Sequence, residues 1–424
     1  MTSALWFSSG VIGMLRTIHR AGDGLVADLA LYLAGAAFAG LTAVTSTLPA
    51  HRPWGQIAFI GYAVAAALTV GLHLTRRHSA AARAVTVGIG WLGTTIVPLL
   101  VEATQRVGGN PHRAQEEVVV VESGAARLLD SGTPYLTRDA IAASPDPLLG
   151  YLPYQPGMTV FGVPRAVFGV HVWTDARVWF ALVTAFCLVT ALRLLRDGGV
   201  SDTLLVRAGQ AVTVLPICAL TLATGGDDLP VLALCLLALA LAARGRWTGS
   251  GIAVGTAAAL KLFAWPVAVV LVIHAIANGK RAGGRLALPA LGIPVAILIP
   301  VTLIDAGAVL ENLVRFPLGL GLVKTPAASP FPGQVIASHV PGGRGIAAGL
   351  LVVVAIGLGV WLLRRPPATA AAAATVSAVG LLVAILLMPA TRFGYLLYPA
   401  AYAVWAVALA KVGTGRGAVP SEVL

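Results

Sequence analysis

Two adjacent carboxylates, Glu116 and Glu117, stand near the start of the stretch "AQEEVVVVESGAARLLDSGTPYLTRDA" at residues 114–140, the longest polar interval of the chain. A carboxylate held beside an apolar medium is partly desolvated and becomes more basic, so Glu117, with Glu116 as its substitute, is a candidate general base. Lys261 is the single charge between residues 248 and 279 and needs a reason to be there. Asp227 and Asp228 begin an apolar run, where they would cap a helix N-terminus or bind a substrate hydroxyl. Arg392 lies in a short turn between apolar segments, a costly place for a guanidinium unless it meets an anion or snorkels to the interface. The acids contain no D-x-D triplet, and neighbours on a helix point about 100° apart, so no obligatory metal is expected.

The elements that must position these residues follow from composition. Of the 424 residues 58% are hydrophobic and 11% charged, where a soluble domain has about 45–50% and about 25%. The mean hydropathy is +0.86, and apolar stretches of membrane-spanning length recur, so helices must satisfy the backbone inside a bilayer. The expected fold is all-α and polytopic, with spans near 28–48, 54–75, 84–103, 173–195, 203–224, 228–243, 284–304, 345–363, 367–389 and 394–410. Residues 4–15 read as a short interfacial helix. With no basic residue before it and no small-residue cleavage site, no cleavable signal peptide is expected. Cys187, Cys218 and Cys235 fall in apolar spans without metal or redox spacing and read as packing residues.

The segment 248–279 has basic flanks on both sides, Arg244 and Arg246 before it and Lys280, Arg281 and Arg285 after it. Basic loops favour the cytoplasm, so the segment should go in and return. Two legs of about 14 residues reach only about 20 Å, too short to cross, which makes a re-entrant pair with its turn near Lys261 and Pro266. With both termini cytoplasmic, 17 basic and 5 acidic residues fall on cytoplasmic segments, an excess equal to the whole net charge of +12. The basic balance therefore reports orientation and contact with membrane lipids, with no nucleic-acid partner.

This topology leaves two long extracytoplasmic loops, 105–172 and 305–344, between an N-terminal region of three spans (1–104), a transmembrane core (173–412) and a cytoplasmic tail (413–424). Residues 115–130 are expected to form a helix with Val118, Val121, Ala125, Leu128 and Leu129 on its apolar side and Gly132 as its stop. Glu122, Asp130, Asp139 and Asp146 read as solvated acids. Trp54, Trp173, Trp247, Tyr395 and Tyr398 fall near span ends and read as interface aromatics without chemistry. The Pro- and Gly-rich "KTPAASPFPGQVIASHVPGG" is an irregular loop able to cover a substrate.

The spacing of Glu117, Val120, Gly124, Leu128-Leu129, Gly132 and Pro134-Tyr135, followed by "YLPYQPGMTVFGVP", resembles the D-x-x-V-Y, A, L-L-x-G, L-Y and Y-P-P pattern of glycosyltransferase family 87. These are GT-C class mannosyltransferases of the plasma membrane that use polyprenol-phosphate sugars and are common in actinobacteria. "GGDDLPVLALCLLALAL", "RGRWTGSGIAVGTAAALKLFAWP" and "MPATRFGYLLYP" resemble further family segments in the same order, so the likeness runs over residues 115–412. It departs from the family in placing Glu where Asp is usual and three spans before the first loop. The resemblance implies a GT-C-like fold of about 10–12 transmembrane or re-entrant helices and inverting transfer of mannose from a polyprenyl-phosphate donor to a lipid or glycan acceptor on the outer face, without a cofactor.

In that reading Glu117, or Glu116, takes the acceptor proton, while Lys261 and Arg392 hold the donor phosphate. Asp227, Asp228, His339 and Tyr154 bind the acceptor or the sugar. Pairing of Lys261 with Asp227 or Asp228 is its structural alternative. A transporter or flippase for a lipid-linked substrate shares the broken helices and midplane charges, but has no need of an acidic helix outside the membrane. An inactive scaffold would be indifferent to loss of Glu117.

Overall fold

The computed structural model describes residues 21–413. The interfacial helix expected over residues 4–15, Arg16 and Arg20, and the expected tail beyond Gly413 with Arg416 and Glu422 lie outside them. Among the described residues the chain is helical, with a single isolated bridge between Ala328 and Thr391. The N-terminal region is α1 (Leu25–Thr45), α2 (His51–Leu74) and α3 (Ala80–Val107). α4 (Glu116–Ser131) stands in the first long loop, and α5 (Ala176–Asp197) leaves that loop for the core.

The expected span at 203–224 is two helices, α6 (Asp202–Thr213) and α7 (Pro216–Thr224), bent by 45°. Pro216 supplies the cause, because it has no amide hydrogen to continue the ladder and its ring clashes with the preceding turn. Next come α8 (Asp228–Ala243), α9 (Trp247–Leu260), α10 (Ala264–Ala277) and α11 (Lys280–Ile304). α12 (Gly343–Arg364), α13 (Ala370–Leu387) and α14 (Leu397–Leu409) complete the chain. Among the described residues seven helices are long and apolar enough to cross a membrane, and the bent pair is an eighth. The chain is an all-α, multi-pass membrane protein.

α8 is apolar on all sides and nearly all of its side chains are buried. A helix of that kind has no face to give to water, and its burial leaves none toward lipid, so it is the axis of the core. α5, α9 and α14 pack around it. α9 and α10 form the out-and-back pair expected from the charge pattern. Gly251, early in α9, packs on Leu286 of α11, and Ile276, late in α10, packs on Gly283 one turn away. Trp247 and His274, at the open ends of the two legs, meet edge to face with centroids 5.6 Å apart. The legs therefore begin and end at one level, and the break at residues 261–263 is the far tip.

The close approach of α9 to α11 requires glycine. A Cβ on Gly251 would lie 2.3 Å from the Leu286 carbonyl oxygen, and one on Gly255 would lie 2.3 Å from that of Pro289. This small-xxx-small spacing lets two backbones touch where the bilayer offers no hydrophobic drive for association.

α4 ends as its sequence dictates, with Gly132 at φ 76° accepting the left-handed turn that L side chains avoid. Its buried face is largely the expected one, with two departures. Val118, Val121 and Ala125 are buried, but Leu129 is exposed, and Glu122 is 6% exposed and turned inward. The physical reason is a set of arginines that follows it round the helix. Glu122 pairs with Arg106 at 2.6 Å and Arg165 at 3.1 Å, Arg106 reaches Asp175, and Arg177 joins Asp175 to Glu102. A buried carboxylate stands only when so matched. Asp130, Asp139 and Asp146 are exposed as expected.

Candidate functional site

The tip of the α9–α10 hairpin, the start of α4 and the turn before α14 converge on one cavity of about 190 Å³, and the start of α8 backs the tip through Lys261. Glu116, Glu117, Tyr154, Lys261, Arg392 and Tyr395 line it, and Phe316, Pro317 and residues 325–327 of the second long loop close it. Four segments separated by 33 to 275 positions in sequence thus deliver the charges that stood out as misplaced in an apolar chain.

Each side chain is held by its element. α4 is fixed at its first turn by the Gln115 amide, which donates to the Thr224 carbonyl at 3.0 Å, and by the Gln115 side chain, 2.6 Å from His51 Nε2. Lys261 is extended at φ −151°, the residue on which α9 stops. The Gln155 amide donates to the Leu260 carbonyl, and Tyr135 donates to the Tyr154 carbonyl at 2.7 Å, so the "YLPYQP" segment is stitched to the tip. The turn carrying Arg392 is clasped by the second loop. Ser329 donates its amide to the Thr391 carbonyl, Thr391 donates to Ala327, and Phe393 donates to Ser329 Oγ.

The electrostatics divide the cavity in two. On one side Lys261 Nζ donates to Asp227 at 2.7 Å and Asp228 at 2.6 Å, and lies 5.1 and 5.4 Å from the ring centres of Tyr154 and Tyr395. Asp228 also accepts from the Tyr398 hydroxyl at 2.8 Å. Burial pushes the Asp227 carboxyl up to about 6, with Lys261 pulling it down and Asp228 and Glu117 pushing it up. On the other side Arg392 is ion-paired with Glu117 Oε1. The second oxygen, Glu117 Oε2, is buried and makes no hydrogen bond to the protein. Burial and the nearby carboxylates of Asp227 and Glu117 push the Tyr154 hydroxyl well above its usual range, so that phenol stays neutral.

Of the residues singled out from the sequence, the structure gathers Glu116, Glu117, Tyr154, Lys261 and Arg392 on the cavity, with Asp227 and Asp228 directly behind Lys261. Glu116 is exposed and Glu117 is the enclosed member of the pair. The capping role of the aspartates is replaced by the lysine pairing, since Asp227 makes no side-chain cap bond. His339 does not join them. It is exposed at the end of the helix Pro332–His339 and contacts Ser338 and the Val335 carbonyl.

Tyr395 and Tyr398, expected as interface aromatics, instead belong to the candidate site, Tyr395 on the cavity wall and Tyr398 behind it on Asp228. Their spacing after Arg392, at three and six residues, puts all three on one turn-and-helix face, the signal from which they could have been found. Trp54, also read as an interface residue, is fully buried and donates to the Thr94 carbonyl at 2.8 Å. Among the described residues no group of three or more His, Cys, Asp or Glu side chains has metal-binding geometry.

A model of glycosyltransferase family 87 matches residues 151–389. Among curated proteins no sequence match is found. Solved structures similar in shape are those of ArnT from Cupriavidus metallidurans. The apo crystal structure has 18% identity and a TM-score of 0.42, covering 70% of this chain and 54% of that one. The crystal structure bound to undecaprenyl phosphate has 18% identity and a TM-score of 0.44, covering 70% and 55%. The chain spans about half the length of those proteins.

Proposed function

The chain belongs to glycosyltransferase family 87, and we propose that it transfers a sugar, mannose in the first instance, from a polyprenyl-phosphate donor to an envelope glycolipid or glycan, on the extracytoplasmic face and with inversion. The observation that carries this reading is the Glu117–Arg392 pair: a carboxylate with one buried oxygen unengaged, ion-paired through the other to an arginine on the same cavity. In the transfer, Glu117 takes the proton of the acceptor hydroxyl, whose oxygen attacks the anomeric carbon. The bond from that carbon to the phosphate oxygen breaks, and its electron pair leaves with polyprenyl phosphate.

Both cations of the cavity already have carboxylate partners, so an incoming phosphate must compete for one of them. Arg392 is the one suited to do so. It faces a single carboxylate, and its planar fork matches a phosphate. When it turns to the donor, Glu117 is released as a base. Lys261, clasped by two aspartates, then serves to hold the tip, and its positive charge stands behind the leaving group. Asp227, Asp228 and Tyr154 border the sugar. His339, exposed outside the cavity, would meet the acceptor only beyond it.

The test is transfer from radiolabelled polyprenyl-phosphate mannose into membrane lipids, with wild type and Glu117→Gln at matched levels. Label in a glycolipid with wild type alone supports the reading. Equal transfer by both removes Glu117 from the chemistry, and no transfer by either, with native membranes active, removes this donor.

A further inference from the structure

On the opposite side of the molecule from the cavity, α3, α5 and α6 leave a groove of about 560 Å³. It is far from the chemistry because α5 runs away from Asp175, which is tied through Arg106 to Glu122 of α4, and the groove lies against the other half of that helix. The cause of the groove is side-chain size. Ala80, Ala81, Ala84 and Gly88 face it from α3, and a Cβ on Gly88 would meet nothing within 4 Å.

Its length is set by three helices in the same way. It is lined by α3 from Ala80 to Trp91, by α5 from Ala185 to Arg196 and by α6 from Asp202 to Thr213. Eleven residues of rise make roughly 17 Å, against about 15 Å for one leaflet of a ~30 Å hydrocarbon core. The walls are mainly apolar, with Thr213 at one end and the charged Arg193, Arg196 and Asp202 together at the other. Arg196 pairs with Asp202 at 3.2 Å, whereas Arg193 is exposed and has no ion pair among the described residues.

An apolar slot one leaflet deep with an unmatched arginine at its mouth has the shape and the charge of a single ligand class. We propose that the groove holds an acyl chain of an anionic phospholipid in the leaflet opposite the catalytic cavity, with the headgroup phosphate against Arg193 and, beside it, Arg196. The lipid would then fill the seam by which the N-terminal helices join the core, and the reading stands whether or not the transferase proposal does. A basic residue at the membrane surface contributes about 1 kcal/mol toward an anionic headgroup, which is roughly a five-fold preference.

The full-length protein in detergent, exposed to equal amounts of dioleoyl phosphatidylglycerol and dioleoyl phosphatidylcholine, would be examined by native mass spectrometry for the lipid it retains. Wild type is expected to retain phosphatidylglycerol preferentially. Arg193→Gln is expected to lose that preference about five-fold while still binding lipid. Ala84→Phe, or Gly88→Leu if the first variant melts early, is expected to lose both lipids because the slot is filled. Equal retention of the two lipids by wild type, or undiminished phosphatidylglycerol on the groove-filling variants, would overturn the proposal.

Discussion

At the scale of single residues, the site is a matter of which charge neutralises which. General-base assistance is worth roughly 10²- to 10⁴-fold, so Glu117→Gln is expected to lower the rate of transfer by that range with melting temperature little changed, whereas Glu116→Gln, at an exposed carboxylate, should stay within a few-fold. Because Arg392 and Glu117 are in contact, their substitutions should be strongly non-additive, which a double-mutant cycle on the transfer rate measures. A pH dependence follows from Asp227. Its carboxyl is raised by burial to about 6 from 3.8, so the folded protein binds this proton more tightly than the unfolded chain. That contribution to stability grows as pH falls through about 6, is complete below 3.8, and is lost as pH rises. Wild type should therefore gain thermal stability relative to Asp227→Asn between pH 7 and pH 5. An unchanging gap between them would show that Asp227 does not titrate there.

At the scale of elements, two devices set the geometry: a glycine seam for the hairpin and an ion network for the helix that carries Glu117. Gly255→Leu places a side chain against the Pro289 backbone. Overpacking of this kind costs about 1–3 kcal/mol or more, and both melting temperature and transfer should fall because Lys261 moves with the tip. Gly284→Ala, where a Cβ meets nothing within 4 Å, should be neutral or stabilising by about 0.5–1 kcal/mol. Removing Arg106 from the buried network leaves Glu122 with Arg165 alone as its ion-pair partner, a cost up to the about 3–5 kcal/mol of a stranded charge. Arg106→Ala should accordingly destabilise far more than loss of the exposed Arg196–Asp202 pair, as thermal melts in detergent would show. The acids of α4 look alike in sequence, and only the arginines brought to Glu122 from α3 and residue 165 distinguish it from the exposed ones.

At the scale of the whole molecule, the candidate cavity and the groove proposed for a phospholipid lie toward opposite ends of α5, so orientation in the membrane decides which leaflet supplies each. With the three native cysteines buried, Lys324→Cys in the second long loop should react with an impermeant maleimide added to intact cells. Arg365→Cys, between α12 and α13, should react only after permeabilisation. The reverse pattern would invert the topology. The sequence by itself determined the membrane class, most of the spans, the out-and-back hairpin around Lys261 and the short roster of charges that an apolar chain must account for. Those are properties of transfer free energy and charge summed over a local segment, and hydropathy and loop charge report them directly. The tertiary structure alone decided that Glu117 faces Arg392 across 275 positions, that Lys261 is clasped by both aspartates, that Glu122 is buried, and that Tyr395 and Tyr398 belong to the site while His339 stands apart. A buried charge selects its partner by which helix ends converge, and that convergence depends on long-range packing; a local window shows that Arg392, Tyr395 and Tyr398 share a face, but not which residues that face meets.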